Sequence, residues 1–165
     1  MKKKILYIDL DMVSANLMKA VKDIDPSFQI SDDAPNFDVM RERLHEICIS
    51  NPMIFHNLEP MPGAIKYIKK LFPLYEVYFL STPMWELPES FTGKRIWLEK
   101  YFGNEATDKL ILTARKDLAI GDILVDDRLK NGAADFKGKF IHFGQKPFPT
   151  WKETFAELQY LARIN

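Results

Sequence analysis

The chain has 165 residues with 47% hydrophobic and 13% aromatic content, which is typical of one globular domain with a substantial core. Lys and Arg total 23 and Asp and Glu total 23, so no net basic field exists to attract a nucleic-acid polymer. The apolar run before Asp9 is too short for a secretory leader, and no run approaches the roughly 20 apolar residues of a membrane span. A single cysteine, Cys48, excludes an internal disulfide and indicates a reducing cytoplasm.

The first predicted strand ends in a pair of acids. Residues 5–8 are branched or aromatic and predict a short buried strand. Because side chains alternate along a strand, Asp9 and Asp11 point the same way while Leu10 turns into the core. Two neighbouring carboxylates repel each other unless a cation, a shared proton or a basic group stabilises them. The pair is therefore either a functional site or a charged turn after a strand.

A long insertion follows this strand. We predict a helix over 14–24, a break at Asp25-Pro26 and a second helix over 36–50 with Met40, Leu44, Ile47 and Cys48 on its apolar face. A crossover helix needs far fewer residues. We expect residues 14–60 to form a helical cap over the acids, and 1–13 with 61–165 to form the core. The alternative is a helical subdomain that only closes an edge of the core.

The remainder alternates apolar runs with amphipathic stretches. We predict strands at about 4–9, 75–80, 109–112, 121–126 and 138–142, with helices after Gly63, after Gly93 and from Thr150. Strands separated by helices form parallel sheets with right-handed crossovers. The predicted fold class is α/β, a Rossmann-like three-layer α/β/α arrangement with a five-stranded parallel sheet and a small cap after the first strand.

Other candidate site residues lie at the ends of predicted strands or at the start of a predicted helix. Ser81-Thr82 ends the second strand, where hydroxyl and backbone N–H groups suit phosphate oxygens, although Ser-Thr-Pro is also ordinary turn chemistry. Lys94 begins a helix and is either solvated or faces an anion. Asp126-Asp127 ends the fourth strand. Two acidic clusters at the ends of separate strands predict a carboxylate site for Mg²⁺ together with phosphate oxygens.

These four motifs together resemble the haloacid dehalogenase (HAD) superfamily of phosphatases. The D-x-D-x-[T/V] pattern of that superfamily matches residues 9–13, and its Ser/Thr, Lys and acid pair match Ser81, Lys94 and Asp126-Asp127. The resemblance narrows to the 5′(3′)-deoxyribonucleotidases. Their local patterns are similar to residues 58–64, 81–83, 94–103, 112–128, 141–144 and Trp151.

The resemblance implies a mechanism with distinct roles for the first acid pair. Asp9 is the nucleophile that forms an aspartyl-phosphate, and Asp11 is the general acid and then the general base. The cofactor is Mg²⁺, with the Asp9 carboxylate, the Asp11 main-chain carbonyl and Asp127 as ligands. Asp126 supports these ligands through hydrogen bonds.

The resemblance also implies the substrate contacts. Ser81, Thr82 and Lys94 bind the phosphoryl oxygens, while the cap and Phe55 hold the nucleoside. The alternative for Phe55 is ordinary core packing. The expected substrate is a small nucleotide, and the implied assembly is a homodimer without nucleic-acid polymer or membrane partners.

Two residues depart from the family pattern. Met12 stands where the family commonly has glycine, which eases a backbone turn, so Met12 must fit by another local geometry. Leu17 replaces an aromatic of the base pocket, and the loss of a stacking surface weakens or widens base preference.

Three other functions stay open at this point. The first is a phosphatase for a different small phosphomonoester. The second is a receiver-like signalling domain, which needs a phosphoacceptor Asp where the third strand here runs into Thr113. The third is a catalytically silent relative, against which all the motif carboxylates argue.

Overall fold

The computed structural model describes residues 2–31 and 34–164. Its centre is one sheet of five parallel strands in the order β3-β2-β1-β4-β5. The strands are β1 (Ile5–Ile8), β2 (Glu76–Ser81), β3 (Leu110–Leu112), β4 (Ile123–Asp126) and β5 (Lys139–His142). The α/β class with a five-stranded parallel sheet is confirmed, and each strand lies where its apolar run predicted it.

Within residues 2–31 and 34–164, five α-helices connect or flank these strands. They are α1 (Leu17–Ile24), α2 (Phe37–Ser50), α3 (Ala64–Lys69), α4 (Pro88–Phe102) and α5 (Trp151–Leu161). Short 3-10 turns cover Ile54–His56, Gly103–Ala106, Lys116–Leu118 and Ala133–Asp135. The predicted helix over 14–24 begins three residues later, since Ser14 and Ala15 bond to the returning chain instead. The helix predicted over 36–50 is present.

The two faces of the sheet pack differently. Leu6 and Ile8 of β1 belong to a large apolar cluster that includes residues from all five helices. Tyr7, between them, points to the opposite face, where it packs in a smaller cluster with Leu124 and Phe136. Strand alternation therefore divides the core, and most of the buried apolar area lies on the helical face.

The segment after β1 is fixed at its base by hydrogen bonds. The Trp151 indole N–H donates to the Val13 carbonyl at 2.7 Å, and the Ser14 hydroxyl donates to the Asp9 carbonyl at 2.8 Å. Asn16 N–H donates to the Glu59 carbonyl at 2.7 Å, which brings the two ends of the excursion together. The segment that contains α1 and α2 therefore begins and ends at one place, beside Asp9 and Asp11.

Candidate active site

Three carboxylates meet at the carboxyl ends of β1 and β4. Asp9 follows β1 directly, and its N–H donates to the Val125 carbonyl at 2.9 Å. Asp126 ends β4 and Asp127 follows it. Because β1 and β4 are parallel neighbours in register, ligand oxygens of these three side chains lie within 4.8 Å of one another. Asp9 of the first acid pair therefore meets both acids of the second pair.

Lys116 lies among these carboxylates, and sequence reasoning missed it. Its Nζ is 3.0 Å from Asp9 Oδ1 and directly contacts Asp126 Oδ2. The side chain is buried and comes from the 3-10 turn after β3, whose backbone is fixed by a bond from Lys116 N–H to the Asn131 carbonyl at 2.9 Å. The sequence feature that could have located Lys116 is its position, four residues after the third strand and ten residues before the second acid pair.

Burial and mutual repulsion shift the acids of this cluster. Burial first, and then the Asp9 and Asp126 charges, raise the pKa of Asp127 to about 8. Burial and then Asp9 raise the pKa of Asp126 to about 7, against the opposing effect of Lys116. Burial alone would lower the pKa of Lys116, but Asp9 and Asp126 raise it above its ordinary value. Lys116 is therefore a permanent cation beside acids that resist ionisation.

The donor set of this cluster suits a hard divalent cation. Asp9, Asp126 and Asp127 offer carboxylate oxygens, the ligand type that Mg²⁺ prefers. His142 Nε2 donates to the Asp127 carbonyl at 2.9 Å and fixes the turn after β4. Arg128 N–H donates to Asp126 Oδ1 at 2.9 Å, so the Asp126 carboxylate is held from both sides. The site residues fit such an ion.

Asp11 lies next to this cluster but contacts a different lysine, Lys94. Lys94 Nζ, from α4, donates to Asp11 Oδ2 at 2.5 Å. The pKa of Asp11 is raised, because burial and the Asp9 charge outweigh the lowering by Lys94. Lys94 is 2% exposed and is not among the described residues that line the adjacent cavity. The structure thus places the Lys94 ammonium against Asp11, and its predicted contact with phosphate stays a prediction.

The strand end of β2 supplies hydroxyl groups to the site. Ser81 is 1% exposed, lines the cavity, and its Oγ has no hydrogen-bond partner among residues 2–31 and 34–164. Thr82 also lines the cavity, but its hydroxyl donates to the Thr113 carbonyl at 2.9 Å. A buried hydroxyl without a partner costs free energy, so Ser81 is the better candidate for an incoming oxygen.

A cavity of about 820 Å³ connects the acids to the helical insertion. Core residues lining it include Asp9, Asp11, Ser81, Lys116, Asp126 and Asp127. Apolar side chains from the insertion line the other side, namely Leu17, Met18, Ile30, Leu44, Cys48 and Phe55. Phe55 lines the cavity and is also part of the core, since it is only 2% exposed. Helices α1 and α2 therefore form one wall of the site.

Met12 adopts a backbone conformation that favours glycine. Its φ is 64°, in the left-handed region where a Cβ is strained. The Met12 side chain lines the cavity, and its Sδ accepts a bond from Met18 N–H at 3.2 Å. The expectation that Met12 fits by another local geometry is therefore wrong, because Met12 adopts the left-handed conformation that glycine would ease.

The fold and the acid cluster define a class of protein. The structure resembles a Bacillus subtilis protein described as "putative HAD-hydrolase YfnB … bound to magnesium", with a TM-score of 0.61 at 8% identity over 96% of this chain and 99% of that one. A haloacid dehalogenase-like hydrolase from Xanthomonas campestris gives 0.52 at 10% identity over 98% of each chain. The chain has the HAD-hydrolase fold.

Sequence comparison gives the family. The model of the family "5' nucleotidase, deoxy (Pyrimidine), cytosolic type C protein" matches residues 3–154, and the chain belongs to this family. A Vibrio phage KVP40 protein named "Putative 5'(3')-deoxyribonucleotidase" is 37% identical over 163 residues, 99% of this chain and 87% of that protein. The human mitochondrial 5'(3')-deoxyribonucleotidase is 30% identical over 118 residues, 68% of this chain and 47% of that protein.

None of the described helices is long and apolar enough to cross a membrane.

Proposed function

We propose that the protein is a Mg²⁺-dependent phosphomonoesterase that hydrolyses 5′(3′)-deoxyribonucleoside monophosphates to nucleoside and phosphate. The observation that carries this proposal is the cluster of Asp9, Asp126, Asp127 and Lys116 at the floor of a cavity roofed by α1 and α2. Family membership and the names of the relatives support the nucleotide as substrate.

Mg²⁺ would be held by the carboxylates of Asp9 and Asp127 and by the main-chain carbonyl of Asp11. Asp126 would support this set, since Lys116 and the Arg128 N–H already occupy its oxygens. The bound ion would offset the negative charge of acids and phosphate, which otherwise repel each other.

The first chemical step transfers the phosphoryl group to Asp9. A carboxylate oxygen of Asp9 attacks phosphorus, the bond from phosphorus to the ester oxygen breaks, and Asp11 gives its proton to that oxygen as the nucleoside leaves. The raised pKa of Asp11 supports a protonated side chain for this role. Lys116 balances the charge on Asp9 and on the equatorial oxygens.

The second step regenerates the enzyme. Asp11, now a carboxylate, takes a proton from water, and the resulting hydroxide oxygen bonds to phosphorus. The bond from phosphorus to the Asp9 oxygen breaks, which releases inorganic phosphate and restores the Asp9 carboxylate. One water is consumed, and the proton that Asp11 lost in the first step is returned.

The phosphoryl oxygens would be held by Ser81, Lys116 and the backbone near Thr82. Among the described residues the buried Ser81 hydroxyl has no hydrogen-bond partner, and it lines the same cavity as Asp9 and the buried Lys116 ammonium. The Thr82 hydroxyl proton is already committed to Thr113, so Thr82 would accept a bond or contribute its main chain.

Residues 14–60 would act as the cap that holds the nucleoside and excludes water. Its cavity wall is mostly apolar, with Leu17 and Phe55 on that wall. Residues 32 and 33 of this proposed cap lie outside the described part of the chain. The core would comprise 1–13 and 61–165.

We also propose a cytoplasmic location and a homodimer, as the family resemblance implies. Cys48 is a free, buried thiol whose pKa burial raises to about 12, so it packs as an apolar residue and suits a reducing compartment.

A phosphate-release assay tests the proposed function. With Mg²⁺, the purified protein should release phosphate from dUMP, dTMP and dGMP and less from the ribose counterparts. Asp9→Asn should abolish release, while Asp108→Asn, an exposed acid outside the cavity lining, should not alter it. Activity on sugar phosphates without activity on any nucleotide would overturn the proposed nucleotide substrate. It would leave the proposed reaction, hydrolysis of a phosphomonoester, in place.

A further inference from the structure

The Lys94 ammonium is enclosed in the interior beside a single carboxyl group. Lys94 is 2% exposed on the buried face of α4, and among the described residues Asp11 is its one ion-pair partner. The Phe55 ring lies on another side, with its centroid 5.1 Å from Nζ. A buried ammonium that loses its partner is costly, so Lys94 and Asp11 hold each other in place.

The backbone around Lys94 is tightly packed, which fixes the position of its ammonium. Gly93 lies against the turn Ile54–His56, and a Cβ at Gly93 would come within 2.7 Å of Phe55 Cβ and 2.9 Å of the Phe55 carbonyl carbon. This close approach leaves α4 no room to shift toward the insertion. Lys94 therefore presents its ammonium to Asp11 from a rigid element.

The two oxygens of Asp11 are not equivalent. Oδ2 accepts the bond from Lys94, whereas Oδ1 is buried and has no hydrogen-bond partner among the described residues. An ammonium has donors only, so Oδ2 can act only as an acceptor in this contact. A proton carried by Asp11 must then reside on Oδ1.

We propose that Lys94 is a positioning residue for Asp11, which fixes the rotamer of that side chain and makes Oδ1 the oxygen that exchanges protons with the substrate. The inference rests on the proposed function and deepens it. In the first step the proton passes from Asp11 Oδ1 to the ester oxygen as the phosphorus–ester bond breaks. In the second step Oδ1 takes a proton from water.

A direct contact between Lys94 and phosphate is the competing role. Two observations favour the positioning role: Lys94 is not among the described residues lining the cavity, and Lys116 already supplies a buried ammonium beside Asp9. The two roles differ in which substrates depend on Lys94. A phosphate ligand serves every phosphate ester, whereas an aid to proton donation matters only when the leaving group needs a proton.

Lys94→Met, compared on dUMP and p-nitrophenyl phosphate with Mg²⁺, separates the roles. Because p-nitrophenolate leaves without a proton, the variant should still release about one equivalent of p-nitrophenol per enzyme in a rapid burst, followed by slow turnover. On dUMP, kcat should fall about 100-fold or more, as general-acid catalysis typically contributes, with KM changed less than about threefold. Lys100→Met, the same change at an exposed site of α4, should match wild type.

Asp11→Asn provides a second test that does not depend on the single variant folding well. Adding Lys94→Met to Asp11→Asn should lower kcat less than about twofold and should raise Tm relative to Asp11→Asn, since the double variant no longer buries an ammonium beside a neutral amide. Two results would overturn the positioning role of Lys94. One is loss of the p-nitrophenol burst in Lys94→Met together with a raised KM for both esters. The other is an equal loss of activity when Lys94→Met is added to the wild type and to Asp11→Asn. A wild-type protein inactive on both esters would instead overturn the proposed function and this role with it.

Discussion

Lys116 Nζ lies 3.0 Å from Asp9 Oδ1, which joins the turn after β3 to the end of β1. The same ammonium contacts Asp126 at the end of β4. One buried cation therefore connects the end of β1 with two segments that lie more than 100 residues later in the chain. Its position explains how acids from two strands can lie together in a folded chain before any ion binds.

Lys116→Met should remove most activity and much of the metal-free stability. We expect kcat to fall at least 100-fold, since one donor to a developing negative charge is typically worth about 10²–10³ in rate. Breaking a buried ion pair costs about 3–5 kcal/mol, and Asp9 and Asp126 would then face each other without a cation. Phosphate release and thermal unfolding in EDTA measure the two effects.

Lys139→Met is the matched control for this prediction. Lys139 pairs with Glu157 near the surface of β5, and such exposed pairs contribute little to stability. Its activity should equal that of wild type. A Lys116→Met enzyme within about threefold of wild type would show that Lys116 has no role in the reaction.

The metal-free protein should lose stability as pH rises. The pKa of Asp127 is raised to about 8 and that of Asp126 to about 7 in the folded state, so the folded chain binds more protons than the unfolded chain between about pH 4 and 8. Stability is greatest at the acidic end of this window and falls toward pH 8, by about 1.4 kcal/mol per pH unit for each proton.

Thermal unfolding at pH 6, 7, 8 and 9 in EDTA checks this slope. Tm should decrease from pH 6 to pH 8, and saturating Mg²⁺ should remove or reverse the trend because it favours the ionised acids. Asp127→Asn should flatten the EDTA curve. A Tm that rises with pH in EDTA would contradict the assigned direction of both shifts.

The sequence predicted the sheet and the acid pairs because each depends on local pattern. Residues 5–8 and 123–125 are continuous apolar runs, and an acid that follows a buried run must emerge at the sheet edge. Lys116 could not be found in this way. It lies in a short 3-10 turn without periodicity, where a lysine is ordinarily solvated, and its contacts arise only from the packing of β3 beside the core.

The partner of Lys94 was likewise beyond sequence reasoning. A helix containing Lys94 was predicted, but its predicted start at Lys94 was wrong, because α4 begins six residues earlier at Pro88. Which residue the Lys94 ammonium contacts depends on the rotation of that helix against the turn Ile54–His56. The motif order favoured a phosphate contact, whereas the packing points to Asp11. A motif can locate a residue at the site without fixing its partner.

Met12→Gly should be more stable than Met12→Ala. Both substitutions remove the side chain beyond Cβ, but alanine retains the Cβ that is strained at φ 64°. The left-handed conformation costs a non-glycine residue about 1–2 kcal/mol, which corresponds to roughly 2–8 °C in Tm for a domain of this size. Differential scanning calorimetry of the pair checks the prediction, and an alanine variant of equal or higher Tm would contradict it.

Leu17→Phe should tighten nucleotide binding. Leu17 lines the cavity on the cap side, and a ring there would offer the base a stacking surface worth roughly 1–3 kcal/mol. KM for deoxyribonucleotides should fall about fivefold or more with kcat little changed. Leu17→Met, which alters shape without adding a ring, is the control, and equal KM values for both variants would argue against base contact at this position.

The proposed mechanism requires Asp9 to carry the phosphoryl group, so trapping the aspartyl-phosphate is the sharpest test of it. Enzyme turning over dUMP labelled at phosphorus with Mg²⁺ should be quenched in acid, digested and analysed by mass spectrometry. We expect a label on the peptide containing Asp9, released by hydroxylamine and absent from Asp9→Asn. Turnover with Asp9→Asn, or a label on a different residue, would contradict it.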